Sequence, residues 1–163
     1  MMRIRGKIMM FREMRRIDRK ISDDQAKDLL KNNTYGVMST IGADGYPYGV
    51  PLNYVFFNGA IYFHCAADGH KFDNISRDNK ISFCVVGETQ VLPDKFSTKY
   101  ESVIIFGRAT EIFDNEKNIY LAELINKYSA DYIEQGKEYI QKGIRNTKVV
   151  KLSIEHISGK GRR

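Results

Sequence analysis

The chain has 163 residues, of which 42% are hydrophobic and 12% aromatic, a composition that suits one globular domain with an ordinary core. It contains no run of about 18 apolar residues that could form a transmembrane helix, and no secretion signal is visible at its start. We therefore expect a cytoplasmic protein. The two cysteines, Cys65 and Cys84, lie on separate predicted strands without the paired spacing of a metal site, so we expect two free thiols.

The net charge of +6 is concentrated at the two ends of the chain. Residues 1–20 hold eight Lys or Arg against two acidic residues, residues 160–163 add three basic residues, and the remainder has 15 basic against 18 acidic residues. A nucleic-acid groove normally carries its basic residues on the folded face, interleaved with aromatic ones. The distribution therefore argues against nucleic-acid binding. It predicts a basic amino-terminal extension, 1–20, followed by a single domain, 21–163.

The first predicted elements are a capped helix and a strand. Ser22 and Gln25 have the spacing of a capping box, and apolar residues follow at helical spacing. Residues 35–41 form a strand, and residues 42–45 form a turn that contains two glycines.

The next segment, residues 48–57, is a predicted strand with an internal proline. Pro51 cannot donate to a sheet ladder, so the strand lies at an edge, is bulged, or faces something other than a strand. The pair Asn58-Gly59 predicts a two-residue hairpin turn, which would pair this strand with residues 60–66. That pairing would bring residues 50–53 alongside His64 and Ala66.

The second strand of this hairpin leads into a glycine turn and a short helix that carries Lys71. The first turn of a helix has unpaired N–H groups and a partial positive charge, so the turn at Gly69 is suited to an anion such as phosphate. The same residues also fit an ordinary solvated turn, with His64 as a packing residue. Cys65 and His64 do not form a nucleophile and base pair, because adjacent strand residues point to opposite faces.

The rest of the chain predicts an α+β fold. Gly107 marks a bend or bulge in what we expect to be the longest strand. With the elements above, the pattern predicts a six-stranded antiparallel split β-barrel with flanking helices. The remaining predicted strands are 80–87, 102–112 and 147–157, and the remaining predicted helices are 115–128 and 132–140.

Several motifs together resemble the FMN-binding split β-barrel superfamily related to pyridoxamine 5'-phosphate oxidase, and in particular its nitroimidazole-resistance branch. Spaced motifs in the right order are more specific than any single one. The chain differs from the vitamin B6 oxidase itself, because it lacks tryptophan and the substrate-binding carboxy-terminal segment, so oxidation of vitamin B6 is disfavoured. The resemblance rests on residues 11–19, 44–55, 61–66, 69–75 and 100–109.

The resemblance implies flavin mononucleotide (FMN) bound across a homodimer interface. The glycine-lysine turn would hold the phosphate, the proline strand would meet the ring edge, and His64, the candidate catalytic residue, would face the flavin or the substrate. Tyr100 and its neighbours would come from the partner chain; alternatively, Tyr100 caps the barrel and Glu101 is solvated. The implied cofactor-binding residues are Val50, Pro51, Leu52, Asn53, His64, Ala66, Gly69, His70, Lys71, Asn74, Tyr100, Glu101 and Ser102.

Two functions are compatible with these residues. The first is an FMN-dependent oxidoreductase that reduces small molecules such as nitroaromatics, with electrons from a transient nicotinamide donor or a partner reductase. The second is a binding protein that holds flavin or haem without turnover, with His64 and His70 as axial ligands of a haem. A protein metal site is not expected, since the three histidines lie on different segments without helical spacing.

Overall fold

A seven-stranded antiparallel sheet forms the body of the protein, in a computed structural model that describes residues 11–162. The predicted α+β class is confirmed. The spatial order of the strands is β2-β1-β5-β6-β7-β4-β3. The strands are β1 Tyr35–Ile41, β2 Pro47–Asn53, β3 Val55–Phe57, β4 Ala60–Ala66, β5 Lys80–Leu92, β6 Ser97–Ile112 and β7 Thr147–Arg162. The helices are α1 Asp23–Asn32, α2 His70–Arg77, α3 Asp114–Tyr128 and α4 Ile133–Gly143.

The predicted proline strand is in fact two strands, which corrects the expected number from six to seven. Tyr54 interrupts it: β2 pairs with β1, with Pro51 opposite Val37, and only the short β3 forms the hairpin with β4. Residues 50–53 therefore do not lie alongside His64 and Ala66 in the sheet, as the sequence had suggested. The physical reason is that the 42–45 turn joins β1 and β2 directly, so that β1 occupies the pairing edge of β2. Of the three arrangements that Pro51 left open, the structure shows the edge position, since β2 is the terminal strand of the sheet.

Tyr54 lies at the corner where the two edges of the sheet approach each other. It connects β2 and β3, which stand at opposite ends of the strand order, yet no ladder joins these two strands. The sheet is therefore curled but not closed. Tyr54 is fully buried, and its hydroxyl donates a hydrogen bond of 2.7 Å to the carbonyl of Leu30 in α1. Its ring meets that of Phe83 edge-on, with 5.0 Å between the ring centres.

The inside of the curled sheet holds the main hydrophobic core, and α1 covers one end of it. The predicted capping box is present: the Ser22 hydroxyl accepts from the Gln25 amide at 3.2 Å, and the Gln25 side chain accepts from the Ser22 amide at 3.0 Å. The fully buried side chains of this core include Leu30, Met38, Ile61, Phe63, Phe83, Val85, Val103, Ile105, Val150 and Leu152.

Gly107 in β6 and Gly159 in β7 lie where other parts of the chain approach these strands too closely for a side chain. The register shift predicted near Gly107 is confirmed, and a Cβ there would collide with the carbonyl oxygen of Ser153. Strand β7 continues to Arg162, beyond the predicted end at residue 157, and equals β6 in length. A side chain at Gly159 would collide with Ile21, so the glycine lets the segment before α1 pack directly on β7.

A second, smaller cluster lies on the other face of β4 and β7, beneath α3. It includes Tyr62, Tyr120, Leu121 and Val149. Helix α4 packs beside α3, but none of its residues is buried. In the range 11–162, no helix combines the length and apolar character needed to cross a membrane.

Candidate functional site

The amino terminus of α2 presents unpaired amide groups. Gly69 precedes the helix with φ of 129°, a conformation that favours glycine, and no side chain caps the helix. The Phe72 and Asp73 amides donate to the Gly69 carbonyl, whereas the His70 and Lys71 amides make no hydrogen bond within residues 11–162. An uncapped first turn of this kind is suited to hold an anion.

Helix α2 is fastened to β1 and β2 by two side chains that the sequence had assigned to the cofactor. The Asn74 amide nitrogen donates a hydrogen bond of 2.9 Å to the Thr40 hydroxyl, and both residues are buried. The His70 ring lies against the ring of Tyr48, with 4.2 Å between their centres. These contacts fix the direction of the helix, and so the direction of its first-turn amides.

His64 lies near the end of β4, on the sheet face that α3 covers. Its Nδ1 atom is 3.2 Å from the Tyr120 hydroxyl. Although His64 is exposed in this chain, partial burial of its ring lowers its pKa and the positive charge of Lys71 lowers it further, which favours the neutral imidazole. Cys65 is buried on the opposite face, inside the curled sheet. The expectation that this thiol and imidazole cannot meet is therefore confirmed, as is the prediction of two free thiols.

Two lysines, Lys71 and Lys148, lie between the end of β4 and the first turn of α2, which also carries Asp73. The positive charge of Lys71 lowers the pKa of both His64 and Cys65. At Cys65 it opposes the larger effect of burial, which raises the pKa of the thiol. Lys148, opposite Cys65 on β7, lies 3.7 Å above the Phe72 ring and forms a 3.1 Å ion pair with Glu111. Lys148 is not among the residues predicted for the site from the sequence.

A cavity of about 650 Å³ adjoins His64, between α3, α4 and the ends of β2, β4 and β7. Its volume falls in the range of small-molecule sites. Neither this cavity nor the Tyr120 partner of His64 can be read from the sequence, because both depend on how α3 and α4 pack. The lining residues are Asn53, His64, Leu121, Leu124, Ile125, Tyr128, Ser129, Tyr132, Gln135, Gly136, Tyr139, Ile140, Gly143, Ile144 and Thr147.

The proline strand contributes one residue to this cavity. Asn53 lines it and donates a 2.9 Å hydrogen bond from its amide nitrogen to the Thr34 carbonyl. Val50 and Leu52 pack against the barrel core, whereas Pro51 is exposed on the outer face.

The predicted residues on β6 lie far from His64 within one chain. His64 pairs with Val149 of β7, and Ser102 pairs with Lys160, eleven residues further along the same strand. That separation corresponds to ~35 Å in an extended strand. Tyr100 instead contacts Arg19, whose guanidinium donates to its hydroxyl at 3.5 Å.

Solved structures similar to this one share its fold. A conserved hypothetical protein from Mycobacterium tuberculosis matches with a TM-score of 0.79 and 20% identity over 93% of this chain and 91% of that one. A putative 5-nitroimidazole antibiotic resistance protein from Bacteroides thetaiotaomicron matches with a TM-score of 0.74 and 22% identity over 86% and 84% of the two chains. An FAD and heme binding protein from Mycobacterium smegmatis matches with a TM-score of 0.74 and 19% identity over 87% and 72%.

Comparison with protein families agrees with the motifs described above. No curated protein matches the sequence significantly. A family model described as pyridoxamine 5'-phosphate oxidase matches residues 22–161, nearly the whole described chain. The predicted superfamily is thereby confirmed. The chain belongs to the pyridoxamine 5'-phosphate oxidase family.

Proposed function

We propose that this protein is a flavin-dependent oxidoreductase that binds FMN and reduces small oxidised molecules such as nitroaromatics. The observation that carries the proposal is the uncapped first turn of α2, where Lys71 lies close enough to His64, which lines a cavity, for its charge to lower the pKa of that imidazole. The turn suits a phosphate group, and the cavity suits a small molecule. Solved structures with the same fold include FAD-binding proteins, which further supports a flavin as the cofactor.

The residues present fit a flavin phosphate. The first-turn amides of His70 and Lys71 would donate to its oxygens, and the Lys71 ammonium would add a full charge. When bound, the flavin supplies the two electrons that reduce a nitro group to a nitroso group, with uptake of two protons and release of water, and a nicotinamide donor replaces those electrons. His64 would orient the substrate through a hydrogen bond, while α3 and α4 exclude water from it.

The active form is proposed to be a homodimer. The outer face of β1, β5 and β6 carries a row of neighbouring residues, Val37, Cys84 and Ile104, flanked by the exposed Val86 and Phe106. An apolar surface of this kind on a folded chain favours association. A second copy would also explain how residues 100–102, which lie far from His64 in their own chain, could contribute to a site near it.

Replacing Lys71 by alanine tests the phosphate end of the site. Loss of a charge-assisted hydrogen bond of ~1.5–3 kcal/mol should weaken FMN binding by roughly 10–100-fold. The measurement is a titration of flavin fluorescence with the purified protein. Lys27→Ala, which removes an exposed lysine of α1 paired with Asp24, is the matched control and should leave the affinity unchanged. Equal affinities for Lys71→Ala and the unaltered protein would remove Lys71 from the site.

A second function, the storage of flavin or haem without turnover, is favoured by one observation. The Nε2 atom of His64 makes no hydrogen bond within the described chain, so it could ligate an iron atom from the cavity side. His70, the other proposed ligand, packs against Tyr48 instead. A Soret band that appears on addition of haem and is lost in His64→Ala would support this alternative, whereas reduction of a nitroaromatic by the flavin-loaded protein would support the enzyme.

A further inference from the structure

Four basic residues from two distant parts of the chain meet around Tyr100 at one end of the sheet. The Arg19 guanidinium donates to the Tyr100 hydroxyl at 3.5 Å, and the Lys160 ammonium lies 5.6 Å from the centre of the Tyr100 ring. Arg162 is directly opposite Tyr100 in the β6–β7 ladder, and Lys20 forms an isolated bridge with Lys160. We call these five residues the Tyr100 cluster.

The strand residues of the cluster lie on one face of the sheet. Paired residues share a face, and so do alternate residues of one strand, so Tyr100, Lys160 and Arg162 all point away from the core that holds Val103. Glu101 points to the opposite face, where a side-chain carbon at the paired glycine would lie 3.5 Å from its Cγ atom. The aromatic ring and the two cations of the strands therefore project together from the outer face.

Little negative charge faces the Tyr100 cluster within residues 11–162. Asp18 binds Arg16 through two hydrogen bonds, and its carboxylate is 4.0 Å from Arg19. The other three cations of the cluster form no ion pair within this range. Like charges that are held close together create a positive potential, which attracts an anion.

The cluster offers donors of the kind that bind a phosphate group. Since the Tyr100 hydroxyl accepts from Arg19, its own hydrogen can donate to a ligand. A guanidinium presents parallel N–H groups to phosphate oxygens, and an ammonium adds a full charge. Hydrogen bonds from Arg19 and Lys160 lower the pKa of Tyr100, so the positive potential acts at the hydroxyl itself.

The aromatic ring among these cations favours a nucleotide over a bare anion. Tyr100 is only partly buried, and nucleobases stack on tyrosine rings and on guanidinium groups. An arginine close to the ribose is also what accommodates the 2'-phosphate that distinguishes NADPH from NADH. Several cations in one place therefore favour the dinucleotide with the additional phosphate.

We propose that the Tyr100 cluster binds the phosphorylated adenosine end of a nicotinamide dinucleotide and selects NADPH over NADH through the 2'-phosphate. The inference rests on the proposed function for the identity of the electron donor, and it deepens that function by assigning the donor a site. The cluster lies at the end of the sheet remote from His64 in its own chain. In the proposed homodimer, residues 100–102 approach the flavin of the other chain, so a donor bound at Tyr100 would reach that flavin.

The test uses adenosine 2',5'-bisphosphate and adenosine 5'-monophosphate, which lack nicotinamide and so bind without turnover. Isothermal titration calorimetry with the full-length protein measures both, and inorganic phosphate is the third probe. We expect the bisphosphate to bind at least about tenfold more tightly than either of the others, because it gains a second charge-assisted contact. Equal affinity for the bisphosphate and the monophosphate, equal affinity for inorganic phosphate, or no binding of the bisphosphate would overturn the inference.

Two substitutions locate the site. Lys160→Ala and Arg162→Ala each remove one cation without breaking an ion pair of the described chain, and each should weaken bisphosphate binding by about tenfold. Lys137→Ala, which removes an exposed lysine of α4 paired with Glu134, is the matched control and should have no effect. Circular dichroism verifies that each variant is folded. Unchanged affinity in whichever of the two cluster variants folds would contradict the proposal.

A short DNA duplex tests the other polyanion that a basic surface attracts. A duplex that binds through Lys160 and Arg162, in a protein that does not bind the bisphosphate, would assign the cluster to nucleic acid and overturn the proposal. Bisphosphate binding that the duplex does not displace would support the nucleotide site.

Titrations with excess FMN present separate this inference from the proposed function. FMN at the first turn of α2 should leave the bisphosphate affinity unchanged, whereas loss of bisphosphate binding would place both ligands at that turn and overturn the inference. Protein that binds FMN but not the bisphosphate would also overturn it and leave the flavin proposal standing. Protein that binds the bisphosphate through Lys160 but no flavin would support the nucleotide site and overturn the oxidoreductase.

Discussion

The core inside the curled sheet and the α3–α4 region bury their apolar residues to very different extents. Inside the curled sheet, side chains such as Phe83, Ile105 and Leu152 have no exposed surface, whereas α4 contributes no fully buried residue. Regions with few buried contacts open at a lower free energy than the rest of a structure. The contrast indicates a rigid core that carries stability and a loosely packed helix beside it.

Truncation of one side chain in each region should show this contrast most strongly. Phe83→Ala removes a fully buried ring and should lower the free energy of unfolding by about 3–5 kcal/mol. Ile140→Ala, in the cavity lining, should lower it by only about 1 kcal/mol or less, since its side chain is partly exposed. Urea unfolding followed by circular dichroism measures both. Similar losses for the two variants would mean that α4 belongs to the rigid core.

The Tyr54 corner joins the two regions, and its hydroxyl should contribute the next largest effect. Tyr54→Phe leaves the Leu30 carbonyl without its 2.7 Å hydrogen bond and should cost about 1–3 kcal/mol of unfolding free energy. Tyr139→Phe, at a position that is 80% exposed, should cost almost nothing. The same urea titration compares them. A loss below experimental error for Tyr54→Phe would contradict the proposed role of this corner.

The charge of Lys127 in α3 should change the free energy of unfolding by a smaller amount, and this change should depend on pH. Its ammonium donates to the Tyr54 carbonyl at 3.1 Å and lies 4.2 Å from the centre of the Tyr54 ring, and burial lowers its pKa to about 8. Below pH 8 the lysine is protonated in both the folded and unfolded states, and the cost of burying its charge is fully present. As the pH rises above 8, the folded state loses the proton while the unfolded state keeps it until about pH 10.4, so stability rises in this interval.

The variant Lys127→Met isolates this contribution. The stability of the unaltered protein relative to the variant should increase between pH 7.5 and pH 10 by ~1–2 kcal/mol, a value reduced from the full pKa shift because the side chain is partly exposed. Urea midpoints at several pH values measure it, and titrations common to both proteins cancel in the difference. A difference that is constant, or that decreases with pH, would show that the Lys127 charge is not buried.

Local sequence signals predicted much of the fold. The capping box at Ser22, the glycine turn before α2 and the bulge at Gly107 each depend on residues close together in the chain, and all three are present. The division of the proline strand was not predictable, because Tyr54 leaves the sheet to reach Leu30 in a different element. The final part of β7 was also missed, because its glycines interrupt the alternation of apolar residues.

The features of the candidate site also divide into those that the local sequence predicts and those that depend on long-range packing. The first turn of α2 could be predicted, since a strand, a glycine and a lysine follow one another directly. His64 could be named, but its partner Tyr120 lies 56 residues away on a helix whose packing no local pattern specifies. The cavity has no sequence signature at all, because it results from how closely α4 approaches α3 at Gly136. Long-range packing therefore accounts for what the sequence did not reveal.

The most direct test of the account is the visible absorption spectrum of the purified protein, recorded before and after addition of FMN and removal of the excess by desalting. If the proposed cofactor site is correct, the protein should retain a flavin spectrum at about one flavin per chain. A colourless protein that does not retain added flavin would contradict the proposed cofactor site at α2 and, with it, the oxidoreductase.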